Sequence, residues 1–197
     1  MVVQRTLGTV LKRHRQQIQQ QWTRELSQHA AAFRGGAARS EQERQAGQFL
    51  DCLVPAVESS AIDDIDAPGW KDTRDFLDEL SRQRALAGFA SDDTARFIFS
   101  LKRPVFDALR VQASGGRAPT RSRAPSRGNA EQLADDVWDA SMLLDRLGLY
   151  TILAFQKSRE EVIHRQQQEL LELPAHPAAQ AEGPLLRSLD LTGVIAL

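Results

Sequence analysis

The chain has 197 residues and a formal net charge of −1, with 25 Lys and Arg against 26 Asp and Glu spread over several segments, so charge alone implies neither nucleic acid nor an anionic membrane as a partner. Its single cysteine, Cys52, excludes an internal disulfide and fits a reducing compartment. The N-terminal stretch MVVQRTLGTVLKRHRQQ lacks the apolar core of a signal peptide, and no apolar run approaches the roughly 20 residues that span a bilayer, so a cytoplasmic protein of one domain with appendages is expected.

From Leu7 the apolar or half-apolar positions are Leu7, Leu11, His14, Ile18, Trp22, Leu26, His29 and Phe33, spaced by threes and fours among glutamines and arginines. This spacing predicts one long amphipathic helix closed by Gly35 and Gly36. Ser40 and Glu43 match a capping box, placing the start of a second helix there, with Phe49, Leu50, Leu53, Val54 and Val57 as its buried face and a bend at Pro55. Residues 58–69 hold three aspartates and Pro68 and read as a loop. Trp70, Phe76, Leu77 and Leu80 then mark a third helix, ended by Gly88.

Ser91 followed by Asp92 and Asp93 predicts the capped N-terminus of a fourth helix, since a hydroxyl satisfies free amides and carboxylates oppose the helix dipole. Its face is broad, with Phe97, Ile98, Leu101, Val105 and Leu109 flanked by Phe99 and Phe106, and Pro104 should kink it. Residues 114–128, SGGRAPTRSRAPSRG, are a Gly/Pro/Ser/Arg segment without an apolar anchor. Asn129, with Gln132 three residues on, is expected to cap a fifth helix running through Leu133, Val137, Leu144 and Leu147. No strand-like alternation appears before residue 174, so the domain is expected to be all-α. Beyond it, PAHPAAQAEGP reads as a Pro/Ala linker, and PLLRSLDLTGVIAL as one or two short strands too small to bury a core alone.

The fifth helix changes character halfway. Up to Phe155 it is apolar enough for a domain core, whereas residues 156–172 are almost entirely polar. In alternating steps of three and four, Leu149, Ile152, Gln156, Arg159, Ile163, Gln166, Leu170 and Leu173 form a heptad seam with a polar middle. So narrow a seam suits a coiled-coil partner, the simplest being a second copy of the chain. Ser158 with Glu161 matches a capping box and would break this helix, but the helical spacing of Leu149, Tyr150, Ile152, Leu153 and Phe155 argues for continuity.

No catalytic constellation emerges. His14 and His29 lie on the apolar stripe of the first helix, and neutral imidazole is a common heme or metal ligand. Fifteen residues of helix separate them by roughly 22 Å, so they cannot share a metal, and hydrogen-bonded core histidines are the plainer reading. His164 and His176 read as solvated. Cys52 lies beside Leu53 on a buried face and reads as an inert core thiol. Arg117, Arg121, Arg123 and Arg127 have phosphate-binding charge but no interleaved aromatics, which favours a solvated loop. Asp92–Asp93 and Asp135–Asp136 are expected in first helical turns, where capping accounts for them.

Two stretches carry a resemblance. Residues 88–106, GFASDDTARFIFSLKRPVF, and residues 144–173, ending KSREEVIHRQQQELLEL, resemble the N-terminal sensor domains of RsbR-type stressosome proteins, the RsbT co-antagonists; the likeness extends more loosely through Trp70, Phe49 and Trp22. It implies a globin-like, side-by-side homodimeric domain whose paired linker helices enter C-terminal STAS domains, which pack into a shell that sequesters the kinase RsbT. On that likeness, residues 1–155 are a sensor domain, 156–173 a linker helix, and 174–197 a linker with a vestige of a STAS domain. Three features depart from the family pattern. Glu172-Leu173-Pro174-Ala175-His176 stands where most members have ELSTP, residues 174–197 are expected to hold no full STAS domain, and the fourth helix lacks the histidine through which some members bind heme. The resemblance therefore implies a non-enzymatic, non-heme signalling module without a cofactor. Its alternatives are a heme or small-ligand protein using His14 or His29, and an assembly factor that pairs with STAS-containing relatives.

Overall fold

In the computed structural model, residues 2–29, 36–115 and 127–172 are described. They form seven α-helices, with no strand among the described residues: α1 (Val2–Arg13), α2 (Arg15–His29), α3 (Gly36–Ser59), α4 (Lys71–Leu86), α5 (Ser91–Phe99), α6 (Lys102–Ala113) and α7 (Arg127–Glu172). A 3-10 turn, Pro68–Trp70, precedes α4. The chain divides into two units, Met1–Ile163 and His164–Leu197. The first is an all-α, globin-like domain.

Its centre is aromatic. Trp22, Phe49 and Phe97 have no exposed surface, and their rings meet with centroids 4.7 to 6.1 Å apart, within the range where edge-to-face and tilted pairs are favourable. The Trp22 indole donates to the Phe97 carbonyl at 3.0 Å and to the Ser100 hydroxyl at 2.9 Å, which satisfies the one polar atom of the ring inside the core. Around this cluster α1 and α2 pack on α3 and α6, and α3 packs on α4. Helix α7 contributes Ala140, Leu143, Leu144 and Leu147 to the same core. A second fully buried tryptophan, Trp70, donates to the Ala61 carbonyl at 2.8 Å and pins the loop between α3 and α4.

Several boundaries differ from the periodicity reading, each for a local reason. The expected first helix is two, with a turn at His14; the bonds from His14 N to Val10 O and from Ile18 N to His14 O keep α1 and α2 on nearly continuous register, which is why the apolar spacing ran through both. The expected kink at Pro104 is instead a full break at Ser100 and Leu101. Proline lacks the amide that would bond the Ser100 carbonyl, and its ring opposes that carbonyl, so it sits in the first turn of α6. Ser40 and Asn129 lie inside α3 and α7 and are not their caps. Ser91 is the first residue of α5, follows Ala90 at the cap position, and makes no capping bond there; Asp92 and Asp93 do occupy the first turn. Gly88 ends α4 as expected, at φ 75°.

Asp135 and Asp136 are in the third turn of α7, so capping does not account for them. Asp136 is 5% exposed and accepts a 3.1 Å bond from Gln132, and burial pushes its carboxyl above the usual carboxylate range, with Asp139 and Asp135 adding to the rise. A carboxyl whose pKa is raised by folding favours the native state while protonated and opposes it once ionised, so this contribution is lost as pH climbs above the unfolded value near 3.9. Asp136→Asn is therefore expected to raise the melting temperature at pH 7, with the gain shrinking at pH 4. Thermal melts of both proteins at the two pH values check this.

Candidate functional site: the two faces of the last helix

Helix α7 is apolar on two opposite sides. Its inner face carries Ala140, Leu143, Leu144, Leu147, Thr151 and Phe155, all buried. Its outer face carries Trp138, Leu149, Leu153 and Ile163, which are 67%, 57%, 57% and 44% exposed, with Met142 at the border of exposure. Leu149 is two residues from both Leu147 and Thr151, about half a helical turn away, so the stripes cannot share a neighbour. An ordinary surface helix has one apolar face, and a run of large exposed side chains marks a surface that something covers.

Of the eight seam positions, Leu149, Gln156, Arg159 and Ile163 are exposed and Ile152 is half-buried in the first unit; Gln166 and Leu170 are exposed in the second. Leu173 lies outside the described residues. Stepping back from Leu149 by the same alternation reaches Asp145, Met142 and Trp138, so the outer face begins eleven residues earlier than the expected seam. That extension was readable from the spacing of Trp138 and Met142, but the core leucines interleaved with them masked it. The helix is continuous through Ser158, as its spacing indicated.

What anchors the inner face decides what can move the outer one. Ser81 of α4 donates to the Thr151 carbonyl at 3.3 Å, and the Tyr150 hydroxyl bonds both Asp78 carboxylate oxygens at 3.0 Å. Partial burial and Asp78 push the Tyr150 phenol up to about 12, so it stays protonated and able to donate. Arg146 donates to the Ile62 carbonyl at 3.0 Å. From α6, Lys102 reaches Asp145 at 2.7 Å and Ser141 at 3.2 Å. Phe99, the last residue of α5, lies against Gly148: a Cβ there would stand 2.3 Å from the ring edge, so only glycine admits this contact.

Gly148→Ala should consequently lower stability by about 1 kcal/mol, because forced displacement of an aromatic ring costs about 1–3 kcal/mol and outweighs the gain of about 1 kcal/mol from alanine's helix propensity. Urea denaturation measures the difference. A net gain would mean that Phe99 swings out at no cost.

The remaining candidates are less suited to chemistry. His14 is half-buried at the α1–α2 turn, and its Nε2 is buried with no hydrogen-bond partner, so the expectation of a satisfied core histidine is not met. His29 is the last residue of α2, with its side chain outside the described residues. His164 is exposed and 3.0 Å from the Gln168 amide, while His176, Arg117, Arg121 and Arg123 lie outside the described residues. Cys52 is half-buried rather than fully buried and lines an open groove of about 440 Å³ between α3 and α4. Burial, with Asp72 and Asp51, pushes its thiol up, away from the reactive thiolate. No group of three or more His, Cys, Asp or Glu among the described residues could hold a metal ion.

The pattern of an RsbT co-antagonist protein rsbRD N-terminal domain matches residues 16–170, well over half of the chain. The chain belongs to that family. No curated protein and no solved structure matches it. The rsbRD N-terminal match begins at Gln16 and so omits α1, yet Leu7, Val10 and Leu11 of α1 are buried in the common core. It covers nearly all of α7, both faces included. The family is one of stressosome-type sensor and signalling domains, and no helix among the described residues is long and apolar enough to cross a membrane.

Proposed function

We propose that this chain is a cytoplasmic, non-enzymatic, homodimeric sensor whose output is carried by α7. The observation that carries the reading is the doubly apolar helix: residues 138–155 are bound to the domain on one side, and the opposite side presents Trp138, Leu149 and Leu153, with Ile163 farther along, to a partner. In the proposed dimer the outer faces of two parallel copies meet, and the seam Leu149, Ile152, Gln156, Arg159, Ile163, Gln166, Leu170 and Leu173 continues the contact toward the C-terminus. Residues 1–155 act as the sensor domain and residues 156–173 as the linker. Output passes to STAS-domain stressosome partners that control an RsbT-like kinase.

The mechanism rests on a weak middle. Gln156, Arg159 and Gln166 put polar groups where a coiled coil favours apolar ones, which costs stability and leaves several registers close in energy. An input that moves the α4 or α5 anchors of α7 then shifts register or splay at small cost. Replacing Gln156 and Gln166 together with leucine is expected to stabilise the dimer, with a dissociation constant at least tenfold lower, and to lock signalling in one state. Sedimentation equilibrium and a reporter of kinase release check the two halves; unchanged affinity with unchanged signalling would refute the mechanism.

Heme or small-ligand binding through His14 has one observation in its favour, the partnerless Nε2. Against heme, Trp22, Phe49 and Phe97 already fill the domain centre at ring-contact distances. A Soret band in the purified protein, lost in His14→Ala, would put that reading first.

A further inference from the structure

Arg84 is a buried cation with no salt-bridge partner among the described residues. It is 5% exposed at the end of α4. Its guanidinium carbon stands 4.9 Å from the Phe97 ring centre and 5.8 Å from that of Phe89. One nitrogen donates to the Asp93 carbonyl at 3.1 Å; another reaches the Gln45 amide oxygen at 3.4 Å, the long end of the hydrogen-bond range. A guanidinium has five donors in a fixed fork, so with two hydrogen-bond acceptors and two ring faces around it this one keeps donors to spare. Burial costs the charge enough to push Arg84 down to about 10, with Asp93 only partly offsetting the fall. Natural buried charges are normally paired, and an exception calls for a partner.

Gln45, which accepts from Arg84, lines a groove of about 440 Å³ between α3 and α4, whose walls also include Phe76, Leu80 and Cys52 but not Arg84 itself. The Gln45 amide nitrogen is held by Glu41 at 2.8 Å, leaving the oxygen as the weak link to Arg84. The charged residues at the rim are already matched: Arg44 with Glu41, Glu79 with Arg82, and Asp51 with Arg15. One free positive charge balances one negative charge, and a planar fork fits a planar carboxylate.

We propose that Arg84 and the α3–α4 groove form a binding site for a small monocarboxylic acid, whose carboxylate replaces the Gln45 oxygen on Arg84 and whose apolar body lies along Phe76 and Leu80. Only the role of this ligand as the sensed input rests on the signalling reading. Arg84 joins α3, α4 and α5, the last two of which anchor α7 at Thr151 and Gly148, so an occupied site has a short path to the outer face.

The test uses the purified full chain and sodium hexanoate, with sodium chloride, hexanol and inorganic phosphate as controls. Binding is followed by thermal shift and calorimetry, and dimerisation is measured separately. Hexanoate should raise the melting temperature by several degrees where the three controls do not. Arg84→Met keeps the volume and removes the buried charge, so it should fold at least as stably as the parent and bind hexanoate at least tenfold more weakly. Gln45→Ala, which removes the competing acceptor, should bind as well or better. No hexanoate shift in the parent, an equal shift in Arg84→Met, or a shift with phosphate or hexanol as large as with hexanoate overturns the site. Each of those results leaves the α7 dimer untouched.

Discussion

Replacing Leu149 and Leu153 together with glutamate is expected to break the proposed dimer into monomers without unfolding the chain. Both side chains are 57% exposed on the outer face of α7, so their substitution removes little from the domain core. Burying the exposed part of a leucine stabilises by about 1 kcal/mol, hence about 4 kcal/mol for the four leucines of a dimer, or roughly a thousandfold in dissociation constant. Four carboxylates brought into one interface add repulsion and desolvation to that loss. Light scattering on a sizing column reads the oligomer, and circular dichroism reads the fold. A double variant that unfolds would mean that this face supports the domain itself, and one that stays dimeric would place the contact elsewhere.

The second large effect is expected at the domain centre. Trp22→Ala removes a fully buried ring in contact with Phe49 and Phe97, and such truncations cost about 3–5 kcal/mol. It also removes the indole donor to the Phe97 carbonyl and Ser100 hydroxyl. The Ser100 hydroxyl still donates to that carbonyl at 3.1 Å, so the added penalty is near the low end of about 1–3 kcal/mol. Against a typical stability of about 5–15 kcal/mol, the variant should be largely unfolded at physiological temperature. Trp22→Phe, which keeps most of the ring, should remain folded and lose about 2 kcal/mol. Both variants lack the indole donor, so the difference between them in chemical denaturation reads the cost of the cavity alone.

How much of this was legible in the sequence depends on which physical signal each feature leaves. The all-α class followed from three-and-four spacing in every segment, and the aromatic core residues were all on predicted faces. Boundaries were less legible. Pro104 signalled a disturbance, but whether proline kinks a helix or starts a new one depends on whether the preceding carbonyls find other partners. Here the Ser100 amide turns back to Arg96 and the Leu101 amide to Ile98, which closes α5 cleanly. Ser40 and Asn129 have capping chemistry that mid-helix side chains share, so sequence alone placed two starts too late.

The outer face of α7 was half-legible. From Gln156 onward polar surroundings isolate the seam, whereas before Leu149 the inner and outer stripes overlap in sequence and read as one broad core face. The anchors were invisible for a different reason. Gly148 is an unremarked mid-helix glycine until Phe99 is known to lie against it, and Arg84 looks like any helix-end cation. Both depend on contacts between elements that no local pattern encodes.

The measurement that bears most directly on the central claim is disulfide trapping in a Cys52→Ser background. Gln156→Cys sits on the outer seam, and Glu161→Cys, also exposed, sits on the other side of α7. In a parallel pair of α7 helices a seam residue meets its own copy within disulfide reach, whose Cα separation is about 4.4–6.8 Å. Mild oxidation should therefore link Gln156→Cys chains into covalent dimers and leave Glu161→Cys chains monomeric on a non-reducing gel. Cross-linking at Glu161→Cys but not at Gln156→Cys, or at neither, would contradict a dimer built on the outer face of α7.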